Sequence, residues 1–366
     1  MANLGKSLSK ILSPRQCTSL SLSPNKGVSP SSPNYFKVRK NIFTVQNERE
    51  NHENSEFQLK KTYSSNQTVS QATCAKIHAH NHLQVPNCNI PLINSPVLKE
   101  LEKKGVEGIS SQNILGRGRF GTVIKGLYKE SPIAVKLISK EQTKSKVIHK
   151  EENAAQLVHP NIIRVIKTVY NKGNYDIILM EYCNGANLLR KINDTTFILD
   201  IERCTRYALD VGFALQHCHK NKIIHLDVKP ENIVIDMEDH CKLCDFGSSR
   251  IMDMADGVKA PWPGTPVFAA PEVLRGLCVT CKADIYSFGI LMWQMLAREP
   301  PYYGDDIDSV IYKVVTQHQR PRKLAATTKD EFDYIQLYEN CWASDHHGRP
   351  EIDGVISSLL GIARIG

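Results

Sequence analysis

His225-Leu226-Asp227-Val228-Lys229-Pro230-Glu231-Asn232 is the stretch whose reading decides the fold. An aspartate, a lysine two positions later and an asparagine five positions later set three unlike polar groups close together. In phosphoryl transfer these have separate tasks. Asp227 would accept the proton of an attacking hydroxyl and orient its oxygen in line. Lys229 would neutralise the moving γ-phosphoryl, and Asn232 would hold a divalent cation. Thirteen residues beyond Asn232 stands Asp245-Phe246-Gly247, whose aspartate would bridge that cation to the phosphates, and Ala270-Pro271-Glu272 follows.

Upstream, Gly116-Arg117-Gly118-Arg119-Phe120-Gly121-Thr122-Val123 matches G-x-G-x-x-G-x-V. Alone this could mark a dinucleotide-binding turn, which requires a helix to begin inside the motif. Here it runs into TVIKGLYKESPIAVKLI, which reads as strand, turn, strand. A glycine-rich hairpin folded over phosphates fits better, because glycine lets backbone amides approach phosphate oxygens. No G-x-x-x-x-G-K-[ST] is present, so a P-loop enzyme is excluded. Lys136, thirteen residues after Val123, would ordinarily be a snorkelling strand lysine. Just beyond such a hairpin it reads as the clamp on the α- and β-phosphates. It needs a carboxylate to hold it, and the helical stretch near 146–158 offers Glu151 and Glu152. Glu151 is the choice, since its neighbour faces another side of the helix.

Taken together, these motifs resemble those of a eukaryotic protein kinase domain over residues 105–366. The resemblance implies an α+β bilobal fold, with a small β-rich lobe at 105–183 and a larger helical lobe at 184–366. It implies ATP and Mg²⁺ as cofactors, with Asn232 and Asp245 as metal ligands. Leu115, Gly116, Gly118, Gly121, Val123, Ala134 and Lys136 would line the nucleotide. Glu181 to Cys183 would be the hinge that binds adenine, with Met180 as gatekeeper behind it. Asp284 would brace the catalytic loop, and Arg349 would pair with Glu272. Lys229 together with Thr265 resembles the serine/threonine class. Within kinases, HLDVKPENI, EENAAQLVHPNI, ILMEYCNGANL, VTCKADIYSFGILMWQM and NCWASDHHGRP are similar to the Mos family of germ-cell MAP kinase kinase kinases. That resemblance implies a MAP kinase kinase as protein substrate and a role in meiosis.

Two other readings compete. A pseudokinase scaffold is unsupported, because Lys136, Glu151, Asp227, Asn232 and Asp245 are all present. A calmodulin-regulated kinase of the myosin light-chain type shares a similar catalytic loop, but it needs a basic amphipathic helix after the catalytic domain. The sequence runs only a few residues past the last expected helix, so that segment is not expected. In most kinases the residue before the catalytic aspartate is an arginine that binds an activation-loop phosphate. Here it is Leu226, and between Gly247 and Ala270 the only hydroxyl residues are Ser248, Ser249 and Thr265. Activity without activation-loop phosphorylation is expected.

Composition bounds the rest. The 366 residues carry a net charge of +8, but the first hundred hold 12 Lys/Arg against 5 Glu, leaving the remainder close to neutral. A nucleic-acid enzyme with a basic groove is disfavoured by that split. Residues 1–104 read as a disordered basic tail rich in Ser, Asn and Pro. Its Ser-Pro pairs, at Ser13, Ser23, Ser29, Ser32 and Ser95, read either as the ordinary abundance of Ser and Pro in such a tail or as targets of proline-directed kinases. A transit peptide is disfavoured by the prolines and few arginines. No run of 18 apolar residues and no signal peptide is present, so a cytoplasmic monomer with reduced cysteines is expected. Two C-x-x-C pairs, Cys241/Cys244 and Cys278/Cys281, are better read as a buried strand and a loop than as a zinc site.

Overall fold

The computed structural model describes residues 96–364, apart from 119–120, 141–146, 171–172, 253–257 and 260–263. The tail with its Ser-Pro pairs lies outside these residues, except for its last part. Pro96–Lys103 is a helix, α1, within the stretch read from sequence as tail. Proline at its first position costs no helical hydrogen bond, and Leu101 is buried in the core of the small lobe. A single apolar anchor inside a Ser/Asn/Pro-rich composition left no periodic signal.

The small lobe is a six-stranded antiparallel sheet. Its strands are β1 (Val106–Glu107), β2 (Ile114–Gly118), β3 (Gly121–Tyr128), β4 (Ser131–Ser139), β5 (Val165–Val169) and β6 (Tyr175–Glu181). The order is β1-β3-β4-β6-β5, with β2 also pairing with β3. Alternation along β4 explains how the sheet joins two cores. Ile133, Val135 and Leu137 point into the core of the small lobe. Ala134 and Ile138 point into the large core shared with the helical lobe, and Lys136 sits between them on the same face. On β6, Ile177 and Leu179 face the first core, while Ile178 and Met180 face the second. Strand β5 begins only at Val165, and Ile162 ahead of it makes an isolated parallel bridge to Leu243. Helix α2 (Val147–Asn153) is likewise shorter than the sequence suggests, passing into a 3₁₀ turn at Ala154–Gln156.

The helical lobe follows β7 (Ala186–Asn187) and α3 (Leu188–Asn193). Helix α4 (Ile201–Lys220) starts where Asp200 accepts a hydrogen bond from the Arg203 amide. This is the side-chain cap that satisfies an orphan donor. Short strands β8 (Ile223–Ile224), β9 (Ile233–Ile235), β10 (Cys241–Leu243) and β11 (Arg250–Ile251) surround the loops that carry the motifs. β9 pairs with β10 and β7, and β8 with β11. β12 (Val258–Lys259) pairs with β13 (Cys278–Val279), on either side of α5 (Pro271–Leu274). Helix α6 (Lys282–Ala297) is buried almost all round, as a helix at the centre of a large lobe must be. α7 (Ile307–Thr316), α8 (Lys329–Cys341) and α9 (Ile352–Ile362) complete the lobe. The bilobal α+β architecture is the one expected from the sequence.

Candidate active site

Two clusters of polar side chains face each other where the lobes meet. The first centres on Lys136. The β3–β4 register sets it opposite Val123, and the β4–β6 register sets Ala134 opposite Met180. Its ammonium is buried between two carboxylates, bonded to Glu151 and 2.8 Å from Asp245 Oδ1. Burial alone would push the lysine toward neutrality, but the two carboxylates outweigh it and hold it charged. Burial pushes Glu151 up against the pull of Lys136, whereas Lys136 outweighs burial at Asp245 and holds that carboxyl low. Helix α2 presents Glu151 to the lysine and turns Glu152 away, to accept from Thr168 at 2.8 Å. Of the two glutamates, Glu151 is the one placed against the lysine.

The second cluster lies on the loop that carries Asp227, Lys229 and Asn232. Asn232 Nδ2 donates to the Asp227 carbonyl at 2.8 Å and to its Oδ2 at 3.0 Å. Lys229 Nζ lies 3.0 Å from Asp227 Oδ2 and donates to Thr265 Oγ1 at 2.5 Å. The Thr265 amide and hydroxyl both donate to Asp227 Oδ1, at 3.1 and 3.0 Å. Thr265 can approach so closely because Gly264 precedes it. A Cβ on Gly264 would stand 2.5 Å from the Leu226 carbonyl oxygen. The clusters meet through His225, whose ring packs edge-on against Phe246 at 4.7 Å and bonds to the Cys244 carbonyl at 3.1 Å.

Beneath the loop, Asp284 of α6 is fully buried and accepts from the amides of His225 and Leu226, at 2.9 and 2.8 Å. These bonds hold Leu226 at φ +63°, a conformation that a bulky residue seldom adopts unaided. A third bond, at 2.9 Å, comes from His219 Nε2. Burial lowers the His219 pKa, but the bond and charge of Asp284 outweigh it and hold the ring at about 9. The imidazolium thus compensates a buried carboxylate. Sequence reasoning found Asp284 and missed His219. Its only signal was a place in the last turn of α4, where a cation is favoured.

The residues expected to line a nucleotide are arranged less uniformly. Gly121 permits a close approach, since a Cβ there would lie 1.9 Å from the Leu137 carbonyl oxygen. Gly116 and Gly118 have nothing within 4 Å of where a Cβ would stand. Leu115 is half-exposed at a bulge in β2, so it would need a bound ligand to cover it. In the hinge, the Glu181 amide donates to the Arg164 carbonyl, and its carboxylate meets Lys242 at 3.1 Å. Cys183 is partly buried, which pushes its thiol up to about 11. Cys241 is buried on β10 and Cys278 exposed on β13, and no grouping of these cysteines with other metal-binding side chains occurs among the described residues. The Glu272–Arg349 pair forms as expected, with bonds of 2.6 and 2.9 Å.

A divalent cation fits the donor set. Both amide hydrogens of Asn232 are spent on Asp227, which fixes the amide so that its carbonyl oxygen is the atom open to a metal. Asp245 stays ionised, and hard oxygen donors of this kind suit such an ion.

The chain matches the protein kinase domain family over residues 109–359. It is 36% identical over 269 residues to the serine/threonine-protein kinase mos of Patiria pectinifera, covering 70% of this chain and 75% of that one. It is 34% identical to mos of Xenopus laevis, over 67% of this chain and 73% of that one. With the proto-oncogene serine/threonine-protein kinase mos of Sus scrofa it shares 38% identity over 68% and 79% of the two chains.

Proposed function

The chain belongs to the Mos family of serine/threonine protein kinases, and from that premise we propose that it is a MAP kinase kinase kinase acting in germ-cell meiosis. Its proposed substrate is a MAP kinase kinase, and its proposed setting is the cytoplasm, as a monomer. No helix among the described residues is long and apolar enough to cross a membrane. In the same reading, proline-directed kinases act on the Ser-Pro pairs of the tail. The observation that carries the proposal is the similarity to mos across the kinase region, joined to a complete set of phosphoryl-transfer residues at one cleft.

The mechanism follows from the chain's own groups. The hairpin of β2 and β3 covers the nucleotide with backbone amides. Lys136, released from Asp245 when a nucleotide enters, bonds to its α- and β-phosphates, while Glu151 keeps the lysine in place. Asp227 accepts the hydrogen bond of the substrate hydroxyl and aims its oxygen at the γ-phosphorus; Thr265 holds that carboxylate meanwhile. Lys229 neutralises the phosphoryl oxygens as the bond transfers. Asp245 and Asn232 would hold Mg²⁺, which supplies charge neutralisation on the phosphates. The alternatives lose ground. A pseudokinase gives no reason for a buried, doubly paired Lys136, and nothing described resembles a calmodulin-binding helix.

The test is phosphotransfer from Mg-ATP by the purified protein. It would be offered a panel of catalytically inactive MAP kinase kinases beside generic protein substrates. Preferential labelling of a MAP kinase kinase is expected. Equal turnover of the generic substrates overturns the substrate assignment.

A further inference from the structure

Helix α2 has to hold Glu151 against Lys136, yet it spans only seven residues, Val147–Asn153. A helix that short has little stability of its own, so its packing through Val147 and Ile148 and bonds from other elements must fix its position. The stretch 245–249 bears on it in three ways, the first indirect. Asp245 bonds to Lys136 of β4, the lysine that Glu151 holds. The Phe246 amide donates to Glu151 Oε2 at 3.2 Å. Ser249 Oγ donates to the Lys150 carbonyl at 3.0 Å and lies 3.5 Å from Asn153 Nδ2, which donates to it. The first two contacts involve the catalytic groups themselves. The third does not: it ties the backbone of α2 to the turn, one residue away from Glu151.

Ser249 is suited to that task. It is fully buried, its amide donates to the Phe246 carbonyl at 2.9 Å, and its carbonyl accepts from Arg250 Nη1 at 3.0 Å. The hydroxyl therefore has a fixed origin. Lys150 lies in the last turn of α2, where helix carbonyls run out of partners in their own helix and take one from outside. In a dry site the bond costs little water to form and is expensive to leave unmade.

We propose that Ser249 is a positioning residue, a latch that ties helix α2 to the turn after Asp245 so that Glu151 meets Lys136. It touches neither nucleotide nor hydroxyl, and it acts on transfer only through Glu151. Burial also rules it out as a phosphorylation site in this state, which leaves positioning as its use. The activity arm of the test rests on the kinase reading; the exchange arm does not.

The full-length protein is compared with Ser249→Ala, Glu151→Gln and the double variant. Three quantities are measured: kcat/KM for ATP with a generic protein substrate, amide hydrogen exchange of residues 147–153, and thermal midpoint. Ser249→Ala is expected to lower kcat/KM about fivefold and to speed exchange in 147–153 by a similar factor. The midpoint should move little. In the Glu151→Gln background the same substitution should change kcat/KM by less than twofold, because the group it positions is already gone. Unchanged exchange in 147–153 overturns the latch. So does an equal fivefold loss in both backgrounds, which marks a generally structural serine. If the unmodified protein transfers no phosphate, the kinase reading fails and the exchange result alone judges Ser249.

Discussion

Replacing Arg349 with methionine should be among the most destabilising single changes outside the active site. The Arg349 side chain is wholly buried. It makes two bonds to Glu272, donates from Nε to the Ala343 carbonyl at 2.9 Å and from Nη1 to the Lys282 carbonyl at 2.8 Å, and lies over the Tyr286 ring at 5.1 Å. Methionine matches much of the length and none of the charge. Glu272, itself buried on α5, is then left without its partner. Removing one partner of a buried pair costs about 3–5 kcal/mol, and about 4 kcal/mol is expected for this one. The lost bonds to the Ala343 and Lys282 carbonyls add about 1–2 kcal/mol, for a total near 5 kcal/mol. Arg349→Met with Glu272→Leu removes the stranded charge and should cost only about 2 kcal/mol, roughly 3 kcal/mol less than Arg349→Met alone. Urea unfolding followed by tryptophan fluorescence measures both variants. A loss below about 2 kcal/mol in Arg349→Met, or a double variant as costly as Arg349→Met alone, refutes the reasoning.

Three further outcomes are expected. Lys136→Arg and Asp227→Asn should each abolish phosphotransfer with the fold intact by circular dichroism. The double variant should be hardly worse, since both act in one transition state; near-normal turnover by Asp227→Asn counts against the mechanism. His219, raised in the folded state to about 9 from an ordinary 6.5, stabilises the protein fully below pH 6.5. That contribution should fade as pH rises to about 9, and denaturation of His219→Gln should lack the decline. Protein stripped by phosphatase and assayed at once with Mg-ATP should keep its activity, because Leu226 offers no charge for an activation-loop phosphate. Activity that returns only after an upstream kinase modifies Ser248, Ser249 or Thr265 contradicts this.

The serines sharpen that last expectation. The structure buries both Ser248 and Ser249 completely. A kinase could reach neither without first opening this part of the fold. What the sequence made legible was what local spacing encodes: a catalytic loop whose Asp227, Lys229 and Asn232 are positioned by one short stretch of backbone. Glu151 over Glu152 was legible too, because adjacent helical residues face different sides. His219 was not, since its role depends on a carboxylate 65 residues away on another helix. Ser249 was not, because its partner is a backbone carbonyl 99 residues distant, and a carbonyl has no letter in the sequence. The unreadable part of this site is therefore its support. The reacting groups are set by motifs, whereas the bonds that hold their carriers in place run between elements that only the fold brings together. In most kinases part of that support is a phosphate paired with an arginine. Here Leu226 lies in the apolar core, its amide held by Asp284, while Ser249 ties the turn to α2 with neutral hydrogen bonds. Support of that kind forms when the chain folds and needs no second enzyme to install it.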